Sequence, residues 1–445
     1  MDDFHKQQGG SKVARGPHRV CYQRELTAAI SQFLPPQFFA RWRFHGNANW
    51  TPQRLAWAAC LMSWSTDSTL TDRLESVGAL LGELFPRWRV GLALGGFGRA
   101  CIRETPRMLD EVRRQLRSSV AGWLEQYRVF GWVVMAVDGS RFEAPRTRAN
   151  EAGLGCAGRE KTTPQIYQTT LQHVGTSLPW DFRIGPGTAS ERRQLDEMLP
   201  DLPGKSLLIA DAGFISYDLC RVLLMGRHDF LLRVGGNTHL LEKLGFACET
   251  RERTVYLWPL RFHAIPPVVL RLIVLRDANK EPVYLVTNID SESLPEEIAS
   301  QIYRLRWGLE THFRGLKQTL GRDRVLSRTP ATALAEQGWL NIGAWLLQLM
   351  TTAALIAANE QPRQWSVAKA SREVRRTMRG CPSRCIRQPL CQRLGCAKID
   401  GYQRKGPKQT RRGVQKKREK PPGPPKIRQA TKKEQQLAQQ FMRPP

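Results

Sequence analysis

The chain has 445 residues, enough for two or three domains, and its 41% apolar content with 13 Trp and 16 Phe excludes an intrinsically disordered polymer. Its 68 Lys and Arg against 40 Asp and Glu leave a net charge of +28. Residues 404–443 hold fourteen basic and two acidic residues, so about +16 stays on the body, and a polyanionic partner follows, nucleic acid ahead of a membrane surface.

The opening Met1-Asp-Asp-Phe-His-Lys-Gln-Gln-Gly-Gly has no apolar core, so no signal peptide is expected and the chain reads as cytoplasmic and nucleoid-associated. Ten scattered cysteines then read as reduced thiols. Residues 25–127 carry helical periodicity, with an apolar block at Leu55–Trp64 and amphipathic stretches at Ser68–Leu84 and Met108–Tyr127. Trp42, Trp50, Trp57 and Trp64 lie there among Arg41, Arg43 and Arg54. They either fill a helical core or belong to a DNA-binding module.

At Gly131 the pattern changes. Trp132–Val137 is a continuous valine-rich run, the mark of a buried strand, and it ends in Asp138-Gly139-Ser140. Strand-like runs follow at Gln165–Val174 and Leu178–Ile184, then a short helix from Ser190 to Leu199. Ser206–Ala210 is another buried strand and ends in Asp211-Ala-Gly-Phe214. Tyr217–Met225 reads as helix and Phe230–Val234 as strand. Three strand-like runs come next, at Thr254–Trp258, Val268–Leu275 and Pro282–Asn288. Pro295 opens a long helix, and Thr329-Pro330 the next. The apolar run Trp339–Ala358 is long enough to span a membrane, but it contains Asn341 and Gln348 and reads as a buried core helix. From about Gln361 the periodicity fades into a Lys/Arg/Pro/Gly/Gln-rich tail that reads as largely disordered. Cys381, Cys385, Cys391 and Cys396 within that tail would suffice for a small zinc site; their spacing lacks paired CxxC knuckles, and plain thiols are the preferred reading.

The densest signal lies in the long helix. On an ideal helical wheel Tyr303, Arg306, Glu310 and Lys317 share a sector about 60° wide, beside an apolar stripe of Ile302, Leu305, Leu309, Phe313, Leu316 and Leu320. Alone, this is equally a basic solvated face. Two strands ending in Asp138 and Asp211, with Glu310 on a helix 99 residues after the second, change the balance. Strand ends in α/β sheets collect ligand groups, and three carboxylates from three elements can hold two Mg²⁺ about 4 Å apart for phosphodiester chemistry.

Asp138-Gly-Ser, Asp211-Ala-Gly-Phe and Tyr303-x2-Arg306-x3-Glu310-x6-Lys317 resemble the DDE transposases of bacterial insertion sequences, in particular insertion-sequence family four with its Tyr-Arg-Glu-Lys signature. The resemblance runs over roughly residues 130–350 and includes Ser190-Glu-Arg-Arg193 and Phe230-Leu-Leu-Arg-Val234. It implies an α/β protein with a ribonuclease-H-like core in two parts, 129–235 and 291–360, around a β-rich insertion at 236–290. A helical N-terminal domain at 1–128 would precede this core and the basic tail at 361–445 would follow it. It implies Asp138, Asp211 and Glu310 as ligands of two Mg²⁺, with Mn²⁺ as a substitute, and Tyr303, Arg306 and Lys317 as DNA-phosphate contacts. It further implies cleavage and strand transfer at the terminal inverted repeats of an element, by a homodimer on double-stranded DNA. The alternative is a non-catalytic repressor or transposase relic. Two positions stand apart from the family pattern: Ala212 replaces the common basic residue after the second aspartate, and Trp258, the one tryptophan of the insertion, reads as core rather than as a base contact.

Overall fold

The computed structural model describes residues 17–45, 48–157, 163–250, 253–277, 280–380, 388–401 and 422–441. Small polar residues start many of its helices. Thr51, Thr69, Thr147, Ser190, Ser216, Ser366 and Thr431 each accept a hydrogen bond from the backbone N–H three residues on, which satisfies one of the donors a helix start leaves open.

Five helices come first: α1 Pro17–Ser31, α2 Pro36–Phe39, α3 Pro52–Trp64, α4 Leu70–Leu84 and α5 Leu94–Ala121. Then β1 (Val133–Glu143), α6 (Arg148–Leu154), β2 (Gln165–His173), β3 (Leu178–Pro186), α7 (Glu191–Asp196), β4 (Ser206–Ala210), α8 (Tyr217–Met225) and β5 (Asp229–Val234) alternate. Four strands follow, β6 His239–Glu242, β7 Thr254–Leu257, β8 Val268–Asp277 and β9 Lys280–Thr287. Helices α9 (Glu296–Arg304), α10 (Trp307–Arg314), α11 (Pro330–Ala357), α12 (Val367–Arg379) and α13 (Leu390–Gly395) come next, then β10 (Lys426–Gln429) and α14 (Lys432–Gln439).

Among the described residues all ten strands join one sheet, in the order β10-β6-β7-β8-β9-β5-β4-β1-β2-β3. β4 is parallel to both β1 and β5, whereas β1–β2 and β2–β3 are antiparallel. The strands expected as a separate insertion continue this sheet, because β9 pairs antiparallel with β5.

α11 answers the membrane question. It is long and apolar enough to cross a bilayer, yet 78% of its most apolar window is buried. It packs on α3, α5, α13 and β3, and Asn341 and Gln337 bond Gln168 of β2. Trp64 donates its indole N–H to Gly343 O of the same helix, at 2.9 Å. The early tryptophans are therefore core, with Trp50, Trp57 and Trp64 buried and Trp42 packed against the same cluster. That cluster runs from Leu26 of α1 to Ala438 of α14, so α1–α5 share their core with the sheet.

The tail departs from the expected disorder wherever it is described. α12 buries Ala370, Ser371, Val374 and Thr377, a helical spacing hidden among arginines. β10 pairs parallel with β6, and the Glu434 carboxylate closes a capping box on Thr431 while bonding Arg428 at 2.7 and 2.8 Å. Of the four cysteines weighed as a zinc site, Cys381 and Cys385 lie outside the described residues, and Cys391 and Cys396 are exposed free thiols.

Candidate active site

The alternation of β-strand side chains places the acidic residues. One face of the sheet carries Val134 and Ala136 of β1, Leu207 and Ile209 of β4 and Leu231 of β5, packed against Ile302, Tyr303 and Leu309 of α9 and α10. Two residues further along each strand come Asp138, Asp211 and Arg233. The last parallel pair of β1 with β4 is Val137–Ala210, so Asp138 and Asp211 leave the sheet side by side. Asp138 does not end its strand, as the sequence suggested: β1 continues to Glu143 on its β2 side, with Asp138 opposite Thr170.

Two glycines keep the carboxylates in place. A Cβ on Gly139 would lie 2.1 Å from the Tyr167 hydroxyl oxygen, and one on Gly213 2.5 Å from Glu191 Oε1. Tyr167 itself donates to Glu191 Oε2 at 2.5 Å, and Arg192 donates to Gly213 O at 2.7 Å. Glu191 and Arg192 thus brace both aspartate loops from α7, a role no local motif announced although both lie in the Ser190–Arg193 run.

The signature helix is not one regular helix. Its backbone tightens between α9 and α10, where the N–H groups of Leu305 and Arg306 bond the carbonyls of Ile302 and Tyr303. A π-helical turn follows at Gly315–Thr319, with Leu320 N bonded to Gly315 O. The single 60° sector expected for Tyr303, Arg306, Glu310 and Lys317 is corrected accordingly. Arg306 and Glu310 stay together, Tyr303 turns into the buried cluster, and Lys317 reaches Ser140 Oγ at 2.8 Å over the Phe142 ring.

Arg306 is the centre of the site. The residue is 6% exposed, and its guanidinium lies 3.4 Å from Asp138 Oδ2 and 3.7 Å from Glu310 Oε1. Arg233, to which the sequence assigns no role, stands 3.6 Å from Asp211 Oδ1. Burial pushes the Asp138 carboxyl up to about 6, against the pull of Arg306 and the Gly139 N–H, and nearby Asp211 and Glu310 add to the rise. Burial opposes the charge on Arg306, but Tyr303 and the three carboxylates outweigh it and hold its proton more firmly. Burial also lifts the Tyr303 phenol to about 12, so it is a donor at neutral pH. The Tyr303 hydroxyl and Arg306 Nε are buried without a hydrogen-bond partner among the described residues. Orphaned donors of this kind are costly unless a ligand accepts from them.

Three carboxylates are the hard oxygen donors a divalent cation of the Mg²⁺ type prefers, so the donor chemistry fits. As they stand, no three His, Cys, Asp or Glu side chains among the described residues close on one ion, and the Arg306 guanidinium sits between Asp138 and Glu310. Ala212 is buried and offers no cation. Trp258 is 3% exposed, donates to the carbonyls of Phe262 and Ile265, and packs on His263 and Phe441, which is the core role expected.

Aspartates side by side on adjacent strands of a mixed sheet, with a glutamate brought in by a helix, are the kind of carboxylate group found in two-metal hydrolases and phosphoryl-transfer enzymes. Residues 131–347 match the family model of the transposase DDE domain. The chain is similar to the transposase InsG for insertion sequence element IS4 of Escherichia coli K12, at 25% identity over 219 residues, 46% of this chain. The match spans about half, 49%, of that curated relative. A cryo-EM structure of the piggyBac transposase synaptic complex with hairpin DNA aligns over 86% of this chain and 85% of its own, at 13% identity and a TM-score of 0.42.

Proposed function

We propose that this chain is a metal-dependent DDE transposase that cuts DNA at the ends of its own element and joins them to target DNA. The observation that carries the reading is the register of β1 on β4, which sets Asp138 beside Asp211 under Glu310 and Arg306. We read β3-β2-β1-β4-β5, with one parallel and one antiparallel half, as a ribonuclease-H-like core. Asp138, Asp211 and Glu310 would hold divalent ions, which when bound activate the attacking oxygen and stabilise the leaving one. The protein's own part is to position and neutralise. Arg306 carries fixed positive charge into the carboxylate group, and its Nε and the Tyr303 hydroxyl are open donors for a phosphate oxygen. Lys317 adds a cation at Ser140, two residues after Asp138. The net +28 charge supports DNA as the polyanion, and inverted-repeat ends paired by a homodimer follow from the family reading.

Asp138→Ala, Asp211→Ala and Glu310→Ala should each abolish nicking of end-bearing DNA in Mg²⁺ while end binding in a gel-shift assay persists. Normal nicking by purified Asp211→Ala would overturn the assignment. A chain that binds ends but never nicks them in Mg²⁺ or Mn²⁺ would be the repressor or relic.

A further inference from the structure

Three long helices begin around one cavity of about 900 Å³: α4 at Thr69 and Leu70, α5 at Leu94 and α11 at Thr329. The α4 start is already served, since Thr69 caps it and Asp72 lies in its first turn. The starts of α5 and α11, each a helix of 28 residues, have no side-chain cap hydrogen bond and no acidic residue in the first turn. Their positive ends and first-turn N–H groups favour an anion.

Arginine is the second, independent observation. Arg73, Arg99, Arg322, Arg324 and Arg328 line the same cavity against a single carboxylate, Glu336. Glu336 is already engaged, accepting from the N–H groups of Leu326 and Ser327 at 2.9 to 3.0 Å. Arg322, 7% exposed, spends Nε and Nη2 on the carbonyls of Met62, Ser63 and Ser65. Arg73, also 7% exposed, gives only Nε to protein, to Asp67 O at 2.8 Å; among the described residues its terminal nitrogens make no hydrogen bond. Burial pulls both guanidiniums below their ordinary range, Arg322 to about 10 with Arg73 contributing. Two buried cations, one with open donors, face a space large enough for more than a phosphate. Phe97, Ile102 and Leu340 supply an apolar wall to the same space, with Ile102 44% exposed.

We propose that this cavity binds a nucleotide, with its phosphate on Arg73 and the α5 and α11 starts and its base against the Phe97–Ile102–Leu340 wall. The nucleotide is either one residue of a DNA strand or a free nucleoside phosphate. None of Asp138, Asp211 and Glu310 lines the cavity, so this site is separate from the carboxylate centre.

The test uses the full chain carrying Asp211→Ala, in EDTA, so that success or failure at the carboxylate site cannot affect the readout. The probe is a fluorescent single-stranded pentanucleotide, followed by anisotropy at fixed salt. Gly98→Trp fills the cavity without changing charge, because a Cβ at Gly98 has only Thr332 Cγ2 near it, at 3.9 Å. Arg99→Glu combined with Arg328→Glu reverses charge at exposed rim positions. Each variant should weaken binding at least about tenfold, and the charge variant should lower the salt slope by about 0.7 for every phosphate it no longer neutralises. Competition by thymidine 5′-monophosphate identifies a free nucleotide as occupant; absence of competition identifies a strand nucleotide; thymidine should compete in neither case. Unchanged binding by Gly98→Trp overturns the proposal, even if charge reversal weakens binding, since that pattern is general attraction of DNA to a basic surface. Unchanged binding by the charge variant overturns it as well. Should Gly98→Trp fail to fold by circular dichroism, Thr332→Trp fills the cavity from the first turn of α11 under the same criteria.

Discussion

Asp138 combines function and instability in one side chain. Its carboxyl rises to about 6 because burial disfavours the charge, with two more carboxylates nearby. A folded-state pKa above the unfolded value means a stability contribution that is full below about pH 4 and lost as pH rises through about 6. Asp138→Asn should therefore stabilise the chain in EDTA at pH 7.5, by up to about 3 kcal/mol, while abolishing cleavage. Urea unfolding checks this, and a destabilised Asn variant would show that the contact with Arg306 outweighs the burial. Both aspartates and the glutamate were legible from the apolar strand runs that precede Asp138 and Asp211 and from a signature spacing, although β1 continues past Asp138. Arg233 and Glu191 were not, because their roles come from contacts with Asp211, Tyr167 and Gly213 that no local pattern encodes.

At the scale of elements, strand, brace and strap each make a testable contribution. Gly139 allows β1 to pass directly over Tyr167, which Glu191 holds from below. Gly139→Ala puts a methyl 2.1 Å from that hydroxyl oxygen, an overpacking expected to cost about 1–3 kcal/mol and to displace Asp138. Thermal melts and nicking rates should fall together, and Tyr167→Phe in the same chain should restore little, since the ring carbon is still only 2.7 Å away. The β10–α14 strap depends on Glu434, whose carboxyl its bonds to Arg428 hold down to about 2. Glu434→Ala should cost about 2 kcal/mol of strap docking and expose residues 422–441 to limited proteolysis, leaving the α1–α5 region protected. The strap is hidden in the sequence by its composition: four strand residues with two cations have no periodicity to find, and they form a strand only because β6 offers a free edge. The tightened turn at 305–306 and the π turn at 315–319 are equally hidden, since a helical wheel assumes one regular helix.

Across the whole molecule, stability should be strongly sensitive to acid. His173 and His312 are buried neutral, and burial pulls both down to about 4. A depressed histidine contributes stability that is full above its unfolded pKa near 6.5 and lost as pH falls through about 4, up to about 3 kcal/mol each. Asp138 works in the opposite direction over an overlapping window, but two histidines exceed one aspartate. Unfolding midpoints in EDTA should therefore drop between pH 6.5 and 4, and His312→Leu with His173→Gln should flatten the curve. A midpoint that stays level in wild type would refute the burial argument.

The amino-acid order alone determined most of the elements and the basic character, and it pointed to the three carboxylates and the family resemblance, because strands, helices and a spaced signature are short-range properties of a chain. The strand Ser206–Ala210 and the helix Tyr217–Met225 were legible to the residue. Only the tertiary structure decided that the insertion strands and the C-terminal strap complete one ten-stranded sheet, that Arg306 stands among the carboxylates, and that three helix starts and five arginines surround one cavity. The reason is sequence distance. Arg73 and Arg322 approach the same cavity from positions hundreds of residues apart, and the burial that gives them their chemistry exists only once the core between them has closed.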